Sequence, residues 1–263
     1  MGVVNVTPDS FSDGGQFLDT DAAIAHGRKL LDDGADILDI GGESTRPGAA
    51  PTSPDEERAR VLPVIEALAG ETGAVLSIDT RNASVARAAI DTGATIWNDV
   101  SALMHDAEGV ETAAALGCDV VLMHAQGDPE TMQTAPAYDD VVAEVMAFLA
   151  ARIELCVAVG IAREKITVDP GIGFGKTLAH NLALLNGLDK FQALGCPVLL
   201  GASRKRFIQG VDKRAVDAGE RLGGSLAAVL AGAARGVSIV RVHDVAETRQ
   251  ALLVAGAIEN PNF

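Results

Sequence analysis

The sequence predicts a single-domain α/β protein folded as a (β/α)8 TIM barrel. Three observations predict it. Eight short, nearly continuous apolar runs punctuate the 263-residue chain; residues at helical spacing fill the intervals; and no Ser/Pro-rich linker, charge block or low-complexity tract divides residues 1 to 263. Apolar runs without strict alternation suit parallel strands covered on both faces. Eight strand–helix pairs in this length fit a closed barrel better than an open doubly wound sheet, the runner-up.

In order, the strands are VVNV, ADILDI, AVLSID, TIWN, DVVLM, KITVD, PVLLG and SIVRV. The helix after strand two is signalled by SPDEE, with Ser53 as N-cap, Pro54 at the first helical position and Glu56 three residues beyond the cap. Val61, Leu62, Ile65 and Leu68 then recur at helical spacing. Asp244 and Glu247 repeat the capping signature before the last helix, and the Ala/Gly-rich GGSLAAVLAGAARG is suited to close packing on the barrel or on a second subunit.

Hydrophobic residues make up 48% of the chain, enough for a large core. A net charge of −15 argues against nucleic acid or an anionic membrane as partner, so any anionic substrate must meet a local basic cluster. No run approaches the roughly 18 apolar residues of a membrane span. The start, MGVVNVTPDSF, lacks signal-peptide regions, which places the protein in the cytoplasm. Cys118, Cys156 and Cys196 are odd in number and at no metal-ligand spacing, and read as reduced, mostly buried thiols.

DPGIGFGKT, residues 169 to 177, resembles a nucleotide loop but fails both tests. Gly171 is one residue too close to Gly175-Lys176 for a triphosphate loop, and Lys176 occupies the third glycine position of a dinucleotide fingerprint. Its glycines are expected instead to let backbone pass tightly beside a ligand ring.

Barrel enzymes build their sites at the C-terminal strand ends. Here those ends carry Asn5; Glu43, Ser44, Thr45 and Arg46; Asp79; Asn98 and Asp99; Met123 and His124; Asp169; Ser203, Arg204 and Lys205; Arg241 and His243. An Asp after a strand is more often the N-cap of the next helix, a reading that fits Asp99. It fits Asp79 and Asp169 less, since Asp169 opens onto Pro-Gly. Met123 and His124 alone read as ordinary core or rim residues, and Arg206 as solvated surface. Two inward carboxylates with an Asn suit a heterocycle bearing amino and ring N–H donors, of guanine or pterin type. The SRKR cluster with Arg46, Arg241 and His243 supplies cationic donors for a diphosphate or carboxylate. No metal-ligand spacing is present, but Asn5 could join phosphate oxygens and water around Mg²⁺.

MGVVNVTPDSFSDGG, DIGGESTRPGA, SIDT, WNDVSAL, VLMHAQGDPETMQ, DPGIGFGK, GASRKRF and RVHD, in this order, resemble the dihydropteroate synthase family of bacterial folate synthesis over essentially the whole chain. The resemblance departs at one point: relatives usually carry several residues before MGVVNVTPDSF.

The resemblance implies condensation of 7,8-dihydropterin-6-ylmethyl diphosphate with 4-aminobenzoate, Mg²⁺ as cofactor and a homodimer. It implies a pterin pocket of Asp79, Asn98, Met123, Asp169, Phe174 and Lys205. Asn5, Thr45, Arg241 and His243 would take the diphosphate, with Asn5 also on the metal. Phe11, Arg46, Pro47 and Ser203 would hold 4-aminobenzoate, and Asp79, Asp169, Lys205 and Arg46 would carry the chemistry. Other readings are a folate:corrinoid methyltransferase on the same barrel, a Schiff-base aldolase using Lys205, and a non-catalytic pterin-binding barrel.

Overall fold

Among the described residues, eight parallel strands close on themselves, and the pairing shows how. β1 (Gly2–Asn5), β2 (Ile37–Gly41), β3 (Val75–Asp79), β4 (Ile96–Asp99), β5 (Asp119–Met123) and β6 (Ile166–Asp169) form one sheet in chain order. β7 (Leu199–Leu200) and β8 (Ile239–Val240) form a second pair. Single bridges, Val168 with Val198 and Gly2 with Val242, join the two. Val168 N donates to Pro197 O at 2.9 Å and Val242 N to Met1 O at 2.9 Å, so the barrel closes. The computed structural model describes residues 1–7, 15–43, 52–70, 74–127 and 132–260.

All eight expected strands are present, although β7 and β8 keep only two paired residues each. Helices α1 (Gly15–Asp32), α2 (Pro54–Ala69), α3 (Ala83–Thr92), α4 (Gly109–Leu116), α5 (Val141–Ala158), α6 (Leu178–Asn186), α7 (Phe207–Val211), α8 (Leu222–Ala233) and α9 (Val245–Glu259) alternate with them. In α2, Ser53 caps by accepting from Glu56 N, as its sequence predicts, while the Glu56 carboxylate pairs with Arg60 instead of returning to the cap. Val61, Ile65 and Leu68 are fully buried; Leu62 is only half-buried, and Val64 takes the remaining core position.

Outward strand residues such as Leu38, Ile40, Ile78 and Leu122 join the main core cluster, each contributing about 1.5–3 kcal/mol by burial. Inside, a smaller apolar cluster of Met1, Ile96, Val121 and Leu199, with Ile37 and Ile239 against it, plugs the floor. Because side chains alternate along a strand, the inward positions above this plug fall two residues further on, at Asp39, Asn98, Met123 and Arg241. The register sets Asp39 beside Ser77, and Gly41, Asp79 and Asn98 in one row above it.

Candidate active site

Arg241, just past β8, binds two carboxylates from across the barrel. Its Nε donates to Asp39 Oδ2 at 2.5 Å and its Nη2 to Asp79 Oδ2 at 2.7 Å. Asp39 Oδ2 also accepts from Asn98 Nδ2 at 3.0 Å. The guanidinium therefore spans two rows of the interior and ties β8 to β2, β3 and β4. Asp39 is 0% exposed, and its other oxygen is buried without a partner among the described residues.

Sequence reasoning missed Asp39. The signal was a charged residue inside an otherwise apolar strand, ILDIG, where a buried carboxylate requires a paired cation.

Burial raises Asp79 to about 7, helped by the like charge of Asp39 and opposed by Arg241. Burial also works against the Arg241 charge, but Asp39 and Asp79 outweigh it and hold its proton more tightly than usual.

The β6 end is organised differently. Asp169 is buried, and its Oδ1 accepts from Gly171 N at 2.7 Å, so this Asp turns the chain without capping a helix. Burial raises its pKa against the pull of Lys205. Oδ2 of Asp169 and Nζ of Lys205 both lie within 4 Å of the Cβ position of Gly201, at 3.6 and 3.9 Å, so the pair shares one corner of the interior. Lys205 Nζ donates to Ile172 O at 2.5 Å and stands 4.6 Å from the Phe174 ring centre. Burial lowers the Lys205 ammonium to about 8.

The lysine and threonine that make DPGIGFGKT look like a phosphate loop are both engaged within the protein. Lys176 is 3% exposed and spends its three donors on His124 Nδ1 (3.0 Å), His124 O (3.2 Å) and Phe174 O (2.9 Å). Burial lowers it to about 7, and burial with Lys176 alongside lowers His124 to about 3, leaving a neutral imidazole that accepts through Nδ1. Thr177 caps α6 in a capping box with His180. Of the three glycines, Gly171 and Gly175 admit neighbouring backbone, while Gly173 faces the Lys205 side chain. A Cβ at Gly171 would lie 1.9 Å from His124 O, and one at Gly175 2.4 Å from Gln126 O, so they let the β6 loop lie flat on the β5 loop.

Beyond β7 and β8, Ser203 Oγ lies 3.0 Å from His243 Nδ1 and accepts from His243 N at 3.3 Å. Arg204, expected among the anion-facing cations, pairs with Asp244 through two N–H groups. Asp244 in turn stands at the N-cap of α9 without making a side-chain cap bond, contrary to the sequence reading. Asp99 is not the N-cap of the next helix either: it accepts from Ser101 N, Ser101 Oγ and Leu103 N within its own turn. Arg206 is exposed, as expected. The three cysteines are buried free thiols, and burial raises Cys118 to about 11.

Asn5, Asp79, Asn98, Met123, Asp169, Lys205, Arg241 and His243 thus sit at or just beyond the same strand ends, with Ser203 and Phe174 on the adjoining loops. Phe11, Thr45, Arg46 and Pro47 lie outside the described residues. The residues next to that second segment are tied down: Glu43 makes a two-pronged pair with Arg81 and accepts from Thr52 N at 3.3 Å. Among the described residues no group of three His, Cys, Asp or Glu could hold a metal.

A family model described as pterin binding enzyme matches residues 1–243. A dihydropteroate synthase of Escherichia coli K12 is 48% identical over 257 residues, covering 98% of this chain and 90% of that protein. The structure of a Xanthomonas albilineans dihydropteroate synthase with 4-aminobenzoic acid superposes with a TM-score of 0.93 at 49% identity, covering 99% of this chain and 92% of the other. A structure of the Xanthomonas enzyme in complex with 7,8-dihydropteroate gives 0.90 at 46% identity, with 99% and 93% coverage.

Proposed function

The chain belongs to the pterin-binding enzyme family, and on that premise we propose that its barrel mouth condenses 7,8-dihydropterin-6-ylmethyl diphosphate with 4-aminobenzoate. The products are 7,8-dihydropteroate and diphosphate, which makes the activity that of a folate-pathway transferase. The carrying observation is a pair of carboxylates, Asp79 largely and Asp169 almost wholly shielded from solvent, facing Arg241 and Lys205 in a barrel whose fold superposes on synthases solved with 4-aminobenzoic acid and with 7,8-dihydropteroate.

Asp169 accepts hydrogen bonds from the amino-pyrimidine edge of the pterin. Asn98 has its amide nitrogen committed to Asp39, so its oxygen is the atom offered to a ring donor. Lys205, Phe174 and Met123 border the ring. As the bond from the methylene carbon to the diphosphate oxygen breaks, its electron pair leaves with the diphosphate. The positive charge left on the pterin-methyl group is stabilised by Asp79 and Asp169 in a water-poor interior. The arylamine nitrogen then bonds to that carbon and gives up its proton to solvent water. Arg241 and His243 hold the leaving diphosphate; Thr45 joins them, and Phe11, Arg46, Pro47 and Ser203 hold the 4-aminobenzoate.

The donor set fits a magnesium ion held mainly through substrate, because Asn5 is a half-buried neutral ligand and the described residues form no acidic cage. When bound, the ion neutralises diphosphate charge.

The apolar groove of α6, α7 and α8, lined by Leu182, Leu185, Phe207, Ile208, Ala227 and Ala231, is a surface that supports a homodimer. No helix among the described residues is long and apolar enough to cross a membrane, and a cytoplasmic setting suits a diphosphate substrate. Diphosphate release, measured from the pterin diphosphate with and without 4-aminobenzoate, tests the reading. No release under either condition sinks it.

A further inference from the structure

Arg204 follows two unfavourable local choices. Ala202 to Lys205 form a tight turn, with Lys205 N donating to Ala202 O at 3.4 Å, and Arg204 occupies its third position at φ 59°. That conformation belongs to Gly or Asn and is strained for Arg. Its partner Asp244 is the N-cap residue of α9, a position where Asp normally caps, yet both of its oxygens go to Arg204. Each choice alone is a local cost. Together they make a two-pronged cross-link from the β7 loop to the β8 loop.

The Arg204 backbone is held as well. Its N–H donates to Ser225 Oγ at 2.9 Å, and its carbonyl accepts from Arg221 Nη1 at 3.0 Å. Arg221 is 7% exposed and also donates to Ala215 O at 3.1 Å and to Val216 O. The strained residue is thus fixed through its side chain, its N–H and its carbonyl. On either side of it stand Ser203, bonded to His243, and Lys205, beside Asp169 and Phe174.

We propose that Arg204 is a positioning residue: clamped by Asp244, Ser225 and Arg221, it presents Ser203, Lys205 and His243 to the site as one unit. This deepens the synthase reading and rests on it for the substrates these groups meet. Backbone strain kept where a glycine would relieve it is expected where it serves a site. The position therefore demands the Arg side chain and not merely the turn.

Two variants test this by opposite signs. Arg204→Gly permits the turn without strain and removes the cross-link; Asp244→Asn frees a good N-cap residue and weakens the same pair. Each should lower kcat/KM for 4-aminobenzoate by roughly tenfold to a hundredfold, the usual cost of displacing reacting groups by about 1 Å. Each should leave the thermal midpoint unchanged or raise it. The double variant should be no worse than the poorer single, since both remove one contact.

Values of kcat/KM within twofold of the parent, or losses that track a falling midpoint, overturn the proposal. Should the parent itself release no diphosphate, the synthase reading fails on its own. The clamp is then judged by the ring nitrogen NMR shifts of His243, which must move in both variants; unchanged shifts overturn it.

Discussion

Asp169→Asn separates catalysis from stability, and the structure sets both magnitudes. The carboxylate is nearly fully buried, with Oδ1 on Gly171 N at 2.7 Å and Oδ2 in the corner shared with Lys205. An amide keeps the first bond but turns an NH₂ toward Lys205 and toward the ring donors. Two charge-assisted hydrogen bonds to the ring are lost or inverted, each worth about 1.5–3 kcal/mol. At about 1.4 kcal/mol per decade, kcat/KM should fall roughly 10²- to 10⁴-fold.

Stability moves the other way. Burial holds the folded Asp169 pKa above its ordinary value, so the folded state binds this proton more tightly than the unfolded chain. The ionised group therefore lowers stability at neutral pH, and a neutral isostere removes that cost while leaving Lys205 less compensated. The two effects oppose, and the thermal midpoint should stay within about 3 °C, the equivalent of about 1 kcal/mol in a chain of this size. Diphosphate release and a thermal melt on the same preparation decide it. Turnover within threefold of the parent would remove Asp169 from the site, and a large fall in the midpoint would make its role structural.

The glycines give a paired prediction. Gly171→Ala and Gly195→Ala share a positive φ, 71° and 68°, but a Cβ meets His124 O at 1.9 Å in the first and nothing within 4 Å in the second. Gly195→Ala should cost only the strain, about 1–2 kcal/mol by denaturant melts; Gly171→Ala should cost about 3–5 kcal/mol or prevent folding, and equal costs would refute the backbone-contact argument. The pH profile of kcat/KM should be a narrow bell, falling below about 7 as Asp79 takes up a proton and above about 8 as Lys205 loses one. A flat profile from pH 6 to 9 would exclude both groups. In Asp39→Asn the acid limb should move to lower pH, because Asp79 then faces Arg241, Glu57 and Asp99 without the like charge of Asp39; kcat/KM should also drop about tenfold as Arg241 loses the negative charge that holds its Nε, and an unmoved limb would refute the coupling.

What was legible in the sequence follows the physics of each element. All eight strands could be read because burial on both faces leaves uninterrupted apolar runs, and the polar residues that end them could be read because barrels place function there. Ser53 was legible as a cap because its bond to Glu56 N is local. Asp244 was misread for the same reason: sequence spacing shows the cap it could make, not Arg204 arriving from another loop. Asp39 and Lys176 were missed because their partners lie far along the chain, 202 residues away at Arg241 and 52 at His124. The glycines of DPGIGFGKT were recognised as permitting a close approach, but at Gly171 and Gly175 what approaches is the backbone beyond β5, which no local pattern encodes.

The interior also resolves how so acidic a chain can handle an anion. Asp39, Asp79 and Asp169 meet Arg241, Lys205 and Lys176 in the same interior, three carboxylates against three bases, although the whole chain carries −15. None of these bases acts as an isolated positive charge. Arg241 is shared by two carboxylates, Lys205 faces Asp169, and Lys176 is turned onto carbonyls and a neutral imidazole. An interior so balanced gives little long-range attraction to a diphosphate, and the acidic surface gives less. On the proposed roles, affinity comes from short contacts made once the pterin is seated, and a leaving diphosphate that takes Arg241 would draw it away from Asp79. A carboxylate released from its cation beside a carbon that is becoming positive is stabilising at that moment and not before, which is the difference between binding a substrate and accelerating its reaction.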